Sequence, residues 1–134
     1  MRRTGGWLIL SAALLVSACH RWQQIRGTSV LPTSIGEVQT GATPDDQTQV
    51  RVTVYNLPPP QTVSRDATAY LVWVRPAGSD APPQRLGQLV LDGDTGNLQA
   101  VTPLRQFELV VTAQSPDDST IEGDRVIRGQ IKRE

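Results

Sequence analysis

Side chains that carry reaction chemistry are scarce in this chain of 134 residues, which has one cysteine, one histidine, one methionine and one phenylalanine. A single cysteine allows no intramolecular disulfide and no thiolate-built zinc site. The single histidine, His20, adjoins that cysteine, Cys19. A Ser-His-Asp triad or a histidine-ligated metal on the rest of the chain is therefore excluded, and no metal or cofactor is expected. An excess of one charge is lacking too, since 13 Lys and Arg balance 13 Asp and Glu. Such a chain has no field to gather nucleic acid or anionic lipid headgroups. Long apolar runs are also missing. The most continuous, Trp7 to Ala18, falls short of the roughly 20 residues that a membrane-spanning helix needs. No segment repeats apolar residues at the helical period over several turns.

What is present concentrates first at the start. Arg2 and Arg3 precede the uncharged run Trp7 to Ala18, which ends on the small residues Ser17 and Ala18. This is the layout of a secretory signal peptide over residues 1–18. Val16-Ser17-Ala18-Cys19 resembles the lipobox of bacterial lipoproteins. The resemblance implies cleavage between Ala18 and Cys19, a diacylglyceryl group on the Cys19 thiol, and a fatty-acylated (palmitate-type) new N-terminus. Two or three acyl chains exceed the two-signal requirement for stable anchoring. The other reading is an ordinary cleaved signal with a free cysteine nearby. Arg2-Arg3 followed by Thr-Gly-Gly fits a twin-arginine signal poorly, which favours the general secretory route. The expected location is the cell membrane or the outer membrane, lipid-anchored, with the domain outside the cytoplasm. His20 in place of Asp after the lipidated position resembles outer-membrane cargo.

Removing residues 1–18 from the 134 leaves 116, enough for one domain with its own core. Arg2 and Arg3 go with them, so 11 basic side chains face 13 acidic ones. Residues 19–33, polar and broken by Gly27 and Pro32, read as a tether. On it, Trp22 and Ile25 either rest at the membrane interface, where Trp is favoured, or pack back on the domain.

Residues 34–134 change pattern. Gln49 to Tyr55 alternates, with Val50, Val52 and Val54 on one face and Arg51, Thr53 and Tyr55 on the other, which predicts a strand buried on one side. Leu57-Pro58-Pro59-Pro60 ends it, because proline donates nothing to a ladder. Thr68 to Arg75 is apolar at nearly every position and suits a strand buried on both faces. Residues 85–101 read as a hairpin around the turn cluster Asp92 to Gly96. Further strands are expected near Ile35 to Thr40, Phe107 to Ala113 and Arg125 to Ile131. The expectation is all-β: an antiparallel two-sheet sandwich, immunoglobulin-like, of about seven strands.

Four stretches in order carry a family resemblance: VTVYNLPPP (52–60), AYLVWV (69–74), LGQLVLDGDTGNL (86–98) and FELVVTAQS (107–115). Together they resemble the extracytoplasmic C-terminal domain of anti-sigma-K-factor-type proteins. The resemblance implies a small β-sandwich on the far side of a membrane. The chain departs from that family in having a lipobox where those regulators carry a sigma-binding region and a transmembrane helix. Gln114-Ser115-Pro116-Asp117 also replaces the family's usual Glu and Gly-rich turn. The sigma-binding role is therefore not carried over.

Asp92 to Asn97 lacks the acid, glycine and distal glutamate positions of a calcium loop and reads as a hairpin turn. Asp45-Asp46 and Asp117-Asp118 sit in polar loops, where solvated charges are the rule. Pro58, Pro59, Pro60 and Tyr70 are the candidate interaction residues: the prolines as a polyproline II ligand or a stiff connection, and Tyr70 as an aromatic whose exposure, against that of Trp73, the sequence leaves open. Tyr70 and Trp73, three apart, fall on opposite strand faces. The leading expectation is a non-enzymatic lipoprotein, held to the membrane by acyl chains on Cys19, with a binding or structural role toward an envelope protein or surface polymer. The alternatives are a sensory module related to anti-sigma extracytoplasmic domains, and a carboxylate-based glycan-acting enzyme. The enzyme needs two acids across a cleft that so small a chain has little length to build.

Overall fold

The computed structural model describes residues 22–133. The signal segment and the lipidation and cleavage residues Ala18 and Cys19 lie outside the described residues.

Alternation at period 2 builds almost everything that follows. Nine strands form: β1 (Trp22–Gly27), β2 (Ile35–Ala42), β3 (Thr48–Tyr55), β4 (Ala69–Pro76), β5 (Gln84–Gln88), β6 (Val90–Asp92), β7 (Thr95–Thr102), β8 (Gln106–Gln114) and β9 (Asp124–Lys132). One short helix, α1 (Pro60–Val63), follows the proline run. The strands make one sheet in the order β5-β4-β8-β9-β1-β2-β3-β7-β6, with every neighbouring pair antiparallel. The sheet curls until β5 lies beside β7, so it is nearly closed into a barrel. The expected all-β antiparallel class is observed; among the described residues the strands number nine rather than about seven.

Two differences from the sequence reading account for the added strands. The stretch expected as a tether carries β1, inserted between β2 and β9. Its single inward apolar side chain, Ile25, is 1 % exposed. Ile25 fits because its neighbours on both flanking strands lack side chains: a Cβ added at Gly36 would stand 2.5 Å from Ile25 Cγ1, and one added at Gly129 would overlap Ile25 Cγ2. The Gln23 amide extends the junction with β9, donating to the Lys132 carbonyl at 2.8 Å while accepting from the Lys132 backbone N–H at 2.9 Å.

The second difference lies in the expected hairpin of residues 85–101. That run bends at Leu89, whose side chain is buried and whose N–H donates to the Tyr70 carbonyl at 2.9 Å. Before the bend β5 pairs with β4; after it β6 pairs with β7 through a tight turn at Gly93 and Asp94. Gly93 adopts a φ of 64°, the left-handed value that a two-residue hairpin asks of its first turn position. The chain thus passes from one end of the sheet to the other, which draws the barrel toward closure.

The interior is one cluster fed by most strands, including Ile25, Val38, Val50, Val52, Val54, Tyr70, Val72, Phe107, Leu109, Val111 and Ile127. A second, smaller cluster of Ala69, Leu71, Trp73 and Val110, with Ile121 against it, lies on the opposite face of β4 and β8. β4 is accordingly buried on both faces, as its unbroken apolar run requires.

Candidate functional site

Tyr70 and the prolines come first, because the sequence marks them. Tyr70 is fully buried. It turns inward and its hydroxyl donates to the Pro58 carbonyl at 2.6 Å. Removal from water disfavours the phenolate and pushes its pKa up to about 12. Pro60 is buried at the start of α1 and Pro58 is half-buried, leaving only Pro59 exposed. The prolines therefore form a stiff connection pinned by Tyr70. Trp73 is buried as well, on the other face of β4. Parity separates the two rings into different clusters, but neither reaches the surface.

The Trp73 indole opens a buried polar chain. Its Nε1–H donates to Thr112 Oγ1 at 2.9 Å, and Thr112 donates to Gln114 Oε1 at 2.7 Å. The same Gln114 oxygen accepts from the backbone N–H groups of Glu122 and Gly123. Its Nε2 donates to the Thr120 carbonyl at 2.9 Å. One amide thus folds the loop after β8 over Trp73.

The acids that the fold positions closely are matched to arginines. Glu108 on β8 takes Arg75 of β4 at 2.5 Å and Arg128 of β9 at 2.7 Å. The hydrogen bond from Arg128 leads in holding its carboxyl below the usual glutamate range, against the opposing effect of burial, with Arg75 adding to it. Asp46, in the turn between β2 and β3, pairs with Arg133 at 3.0 Å and also with Arg105. Those two guanidinium groups, Arg133 foremost, lower its pKa as well. Asp45, Asp117 and Asp118 remain loop carboxylates. Among the described residues, no group of three or more His, Cys, Asp or Glu side chains is placed to share a metal ion, and no helix is long and apolar enough to cross a membrane.

The outer face of β1, β2, β3 and β7 has a different character. On β2, β3 and β7 the inward positions are apolar, threonine or glycine; outward, the four strands present the amides Gln24, Gln39, Gln49, Asn97 and Gln99 among Arg26, Glu37, Arg51, Thr53 and the partly exposed apolar side chains. Register sets them in rows. Trp22 stands opposite Gln39, Gln39 opposite Arg51, and Arg51 opposite Gln99, across four strands. In the next row Gln24, Glu37, Thr53, Asn97 and Val90 follow one another. Gly41, beside the first row, leaves open space where a side chain would stand.

Two shallow hollows meet on this face. One, of about 190 Å³, is lined by Gln39, Thr40, Gly41, Gln49 and Arg51. The other, of about 400 Å³, is lined by Arg51, Val90, Asn97, Leu98 and Gln99. Arg51 is the wall they share, and among the described residues it makes no ion pair. Asn97 is held in place by Thr53, whose hydroxyl donates to Asn97 Oδ1 at 3.0 Å. Sequence reasoning found Arg51 and Thr53 as outward residues but not the hollows, because strand register decides which side chains share a row.

No protein-family model matches this chain, and no curated protein or solved structure does either.

Proposed function

We propose that the chain is a lipid-anchored, non-enzymatic binding module of the cell envelope. Acyl chains on Cys19 attach it to the membrane, and the curled sheet stands outside the cytoplasm as the part that binds. The observation that carries the reading is the contrast between two surfaces. The well-positioned carboxylates, Glu108 and Asp46, are engaged by arginines. The outer face of β1, β2, β3 and β7 instead presents adjoining hollows with amide walls. A carboxylate-based hydrolase needs an acid free to exchange protons, and ion pairing opposes that. Position in the chain adds support. β1 begins three residues after Cys19, so the sheet starts almost at the lipid.

Kinship with the extracytoplasmic domain of anti-sigma-K-factor-type proteins belongs to this proposal. The four stretches that carry the resemblance fall on β3 and its proline end, on β4, across β5 to β7, and on β8. The kinship implies a sandwich; the all-β antiparallel sheet, curled nearly into a barrel, supports it only at the level of fold class.

The test is Cys19→Ser followed by membrane fractionation and labelling with a fatty-acid probe. The expected result is loss of label and a shift from mature, membrane-held protein to uncleaved precursor. Unchanged labelling and processing would reject lipid anchoring.

A further inference from the structure

We infer that the outer face of β1, β2, β3 and β7 binds a neutral, hydroxyl-rich glycan chain laid across the strands. This names the ligand class of the binding module proposed above. It rests on that reading only for the envelope setting, since the face itself owes nothing to Cys19.

The argument begins with charge. The row Trp22, Gln39, Arg51, Gln99 holds one cation and no anion, and Glu37 stands diagonally from Arg51 in the next row. Arg26 adds a second cation at the far end of β1, so the face as a whole carries two cations and one anion, too little net charge to complement a polyanion or a polycation. Around the two hollows its polar groups are chiefly amides, each offering an acceptor oxygen and two N–H donors, and the Arg51 guanidinium with its fork of donors. Hydroxyl groups on adjacent ring carbons need that combination, because each hydroxyl both donates and accepts. Asn97 shows that part of the array is set in advance. Thr53 occupies its oxygen, which leaves the Nδ2 donors for a ligand.

Geometry agrees with the chemistry. Neighbouring strands lie about 4.8 Å apart, so the row from Trp22 to Gln99 spans roughly 14 Å. An extended polysaccharide repeats its rings at a similar interval, and successive rings can meet successive strands. The two hollows lie on either side of Arg51 and give adjacent rings separate seats with a shared donor between them. Trp22, 49 % exposed, closes the row with an aromatic face suited to the C–H side of a sugar ring. A protein-binding patch would place its apolar groups at the centre. Here the exposed apolar side chains Trp22, Val90, Val101, Ile35 and Tyr55 lie around the two polar rows, at their ends or beside them, rather than in their middle.

Affinity gel electrophoresis of the full-length chain in detergent tests this, with soluble β-glucan, α-glucan, mannan and N-acetylglucosamine oligomers as probes and a polyanionic polysaccharide as control. The expected result is retardation by at least one neutral probe, unchanged within twofold at 0.5 M salt because so little net charge is there to drive it. Gly41→Trp should reduce that binding at least tenfold. It fills the first hollow from a position where a side chain meets nothing, and the urea midpoint should stay that of the parent chain. Arg51→Ala should do the same by removing the shared donor. Retardation by none of the neutral probes, by the polyanion alone, or undiminished in both variants would overturn the inference. Cys19→Ser should leave glycan retardation intact, so failure of the anchor and failure of the glycan face give separate results.

Discussion

Packing at Ile25 tests whether the first strand belongs to the sheet. Ile25 is 1 % exposed, and its neighbours Gly36 and Gly129 have no side chains to lean into a void. Truncation of a buried Ile to Ala removes about 2–5 kcal/mol of stability, the upper half where the site cannot collapse. We therefore expect Ile25→Ala to lose about 3–5 kcal/mol, and Ile25→Val about 1 kcal/mol. The reverse perturbation is Gly129→Ala, whose new methyl would overlap Ile25 Cγ2. Overpacking of that kind costs about 1–3 kcal/mol. The decisive measurement combines the two. In Ile25→Ala with Gly129→Ala the added methyl occupies space that the lost side chain vacates. The double variant should then be more stable than the sum of the single effects predicts, by at least about 1 kcal/mol. Urea unfolding followed by tryptophan fluorescence supplies the free energies, with equal slopes as the check on two-state behaviour. A loss under about 1 kcal/mol for Ile25→Ala, or strict additivity in the double variant, would refute the placement of β1 between β2 and β9.

Three further outcomes are expected. Trp73→Ala should cost about 3–5 kcal/mol, because it empties the outer cluster and strands the Thr112–Gln114 chain; an unchanged urea midpoint would contradict its burial. Tyr70→Phe leaves the Pro58 carbonyl without its donor and should cost about 1–2 kcal/mol. The Tyr70 pKa is raised in the folded chain, so its contribution is whole below the ordinary tyrosine value near 10 and is lost as pH climbs toward about 12; an ultraviolet phenolate titration of folded protein should lose its late component in the variant. Glu108 has the opposite sign. Its lowered pKa gives a contribution that is present above the ordinary glutamate range and disappears as pH falls through the folded value. Glu108→Gln should remove about 1–2 kcal/mol at neutral pH, moderated because the Arg128 side chain is 53 % exposed, and should flatten the acid limb of stability against pH.

Local alternation made β3 and β4 legible. Val50, Val52 and Val54 point inward and the residues between them outward, and the β4 run has no polar position before Arg75. β1 gave no such signal. WQQIRG has one inward apolar residue, and its hold on β9 comes partly from the Gln23 amide, a polar group that reads as surface. The bend at Leu89 was hidden for another reason. RLGQLVL has the pattern of one strand, and only the pairing partners, β4 on one side and β7 on the other, divide it. Parity set Tyr70 and Trp73 on opposite faces but could not tell that both are covered, Tyr70 by the interior cluster and Trp73 by the loop after β8. The outer-face row needed register across four strands, which no single segment encodes.

The position of β1 has a consequence for the order of folding. The earliest strand of the sheet is wedged against the last, and Gln23 meets Lys132 across 109 positions of chain. A polypeptide emerging from its N-terminus therefore cannot lock this architecture until its final dozen residues have been delivered. Closure of the sheet is therefore a late event, set by the arrival of β9 beside β1.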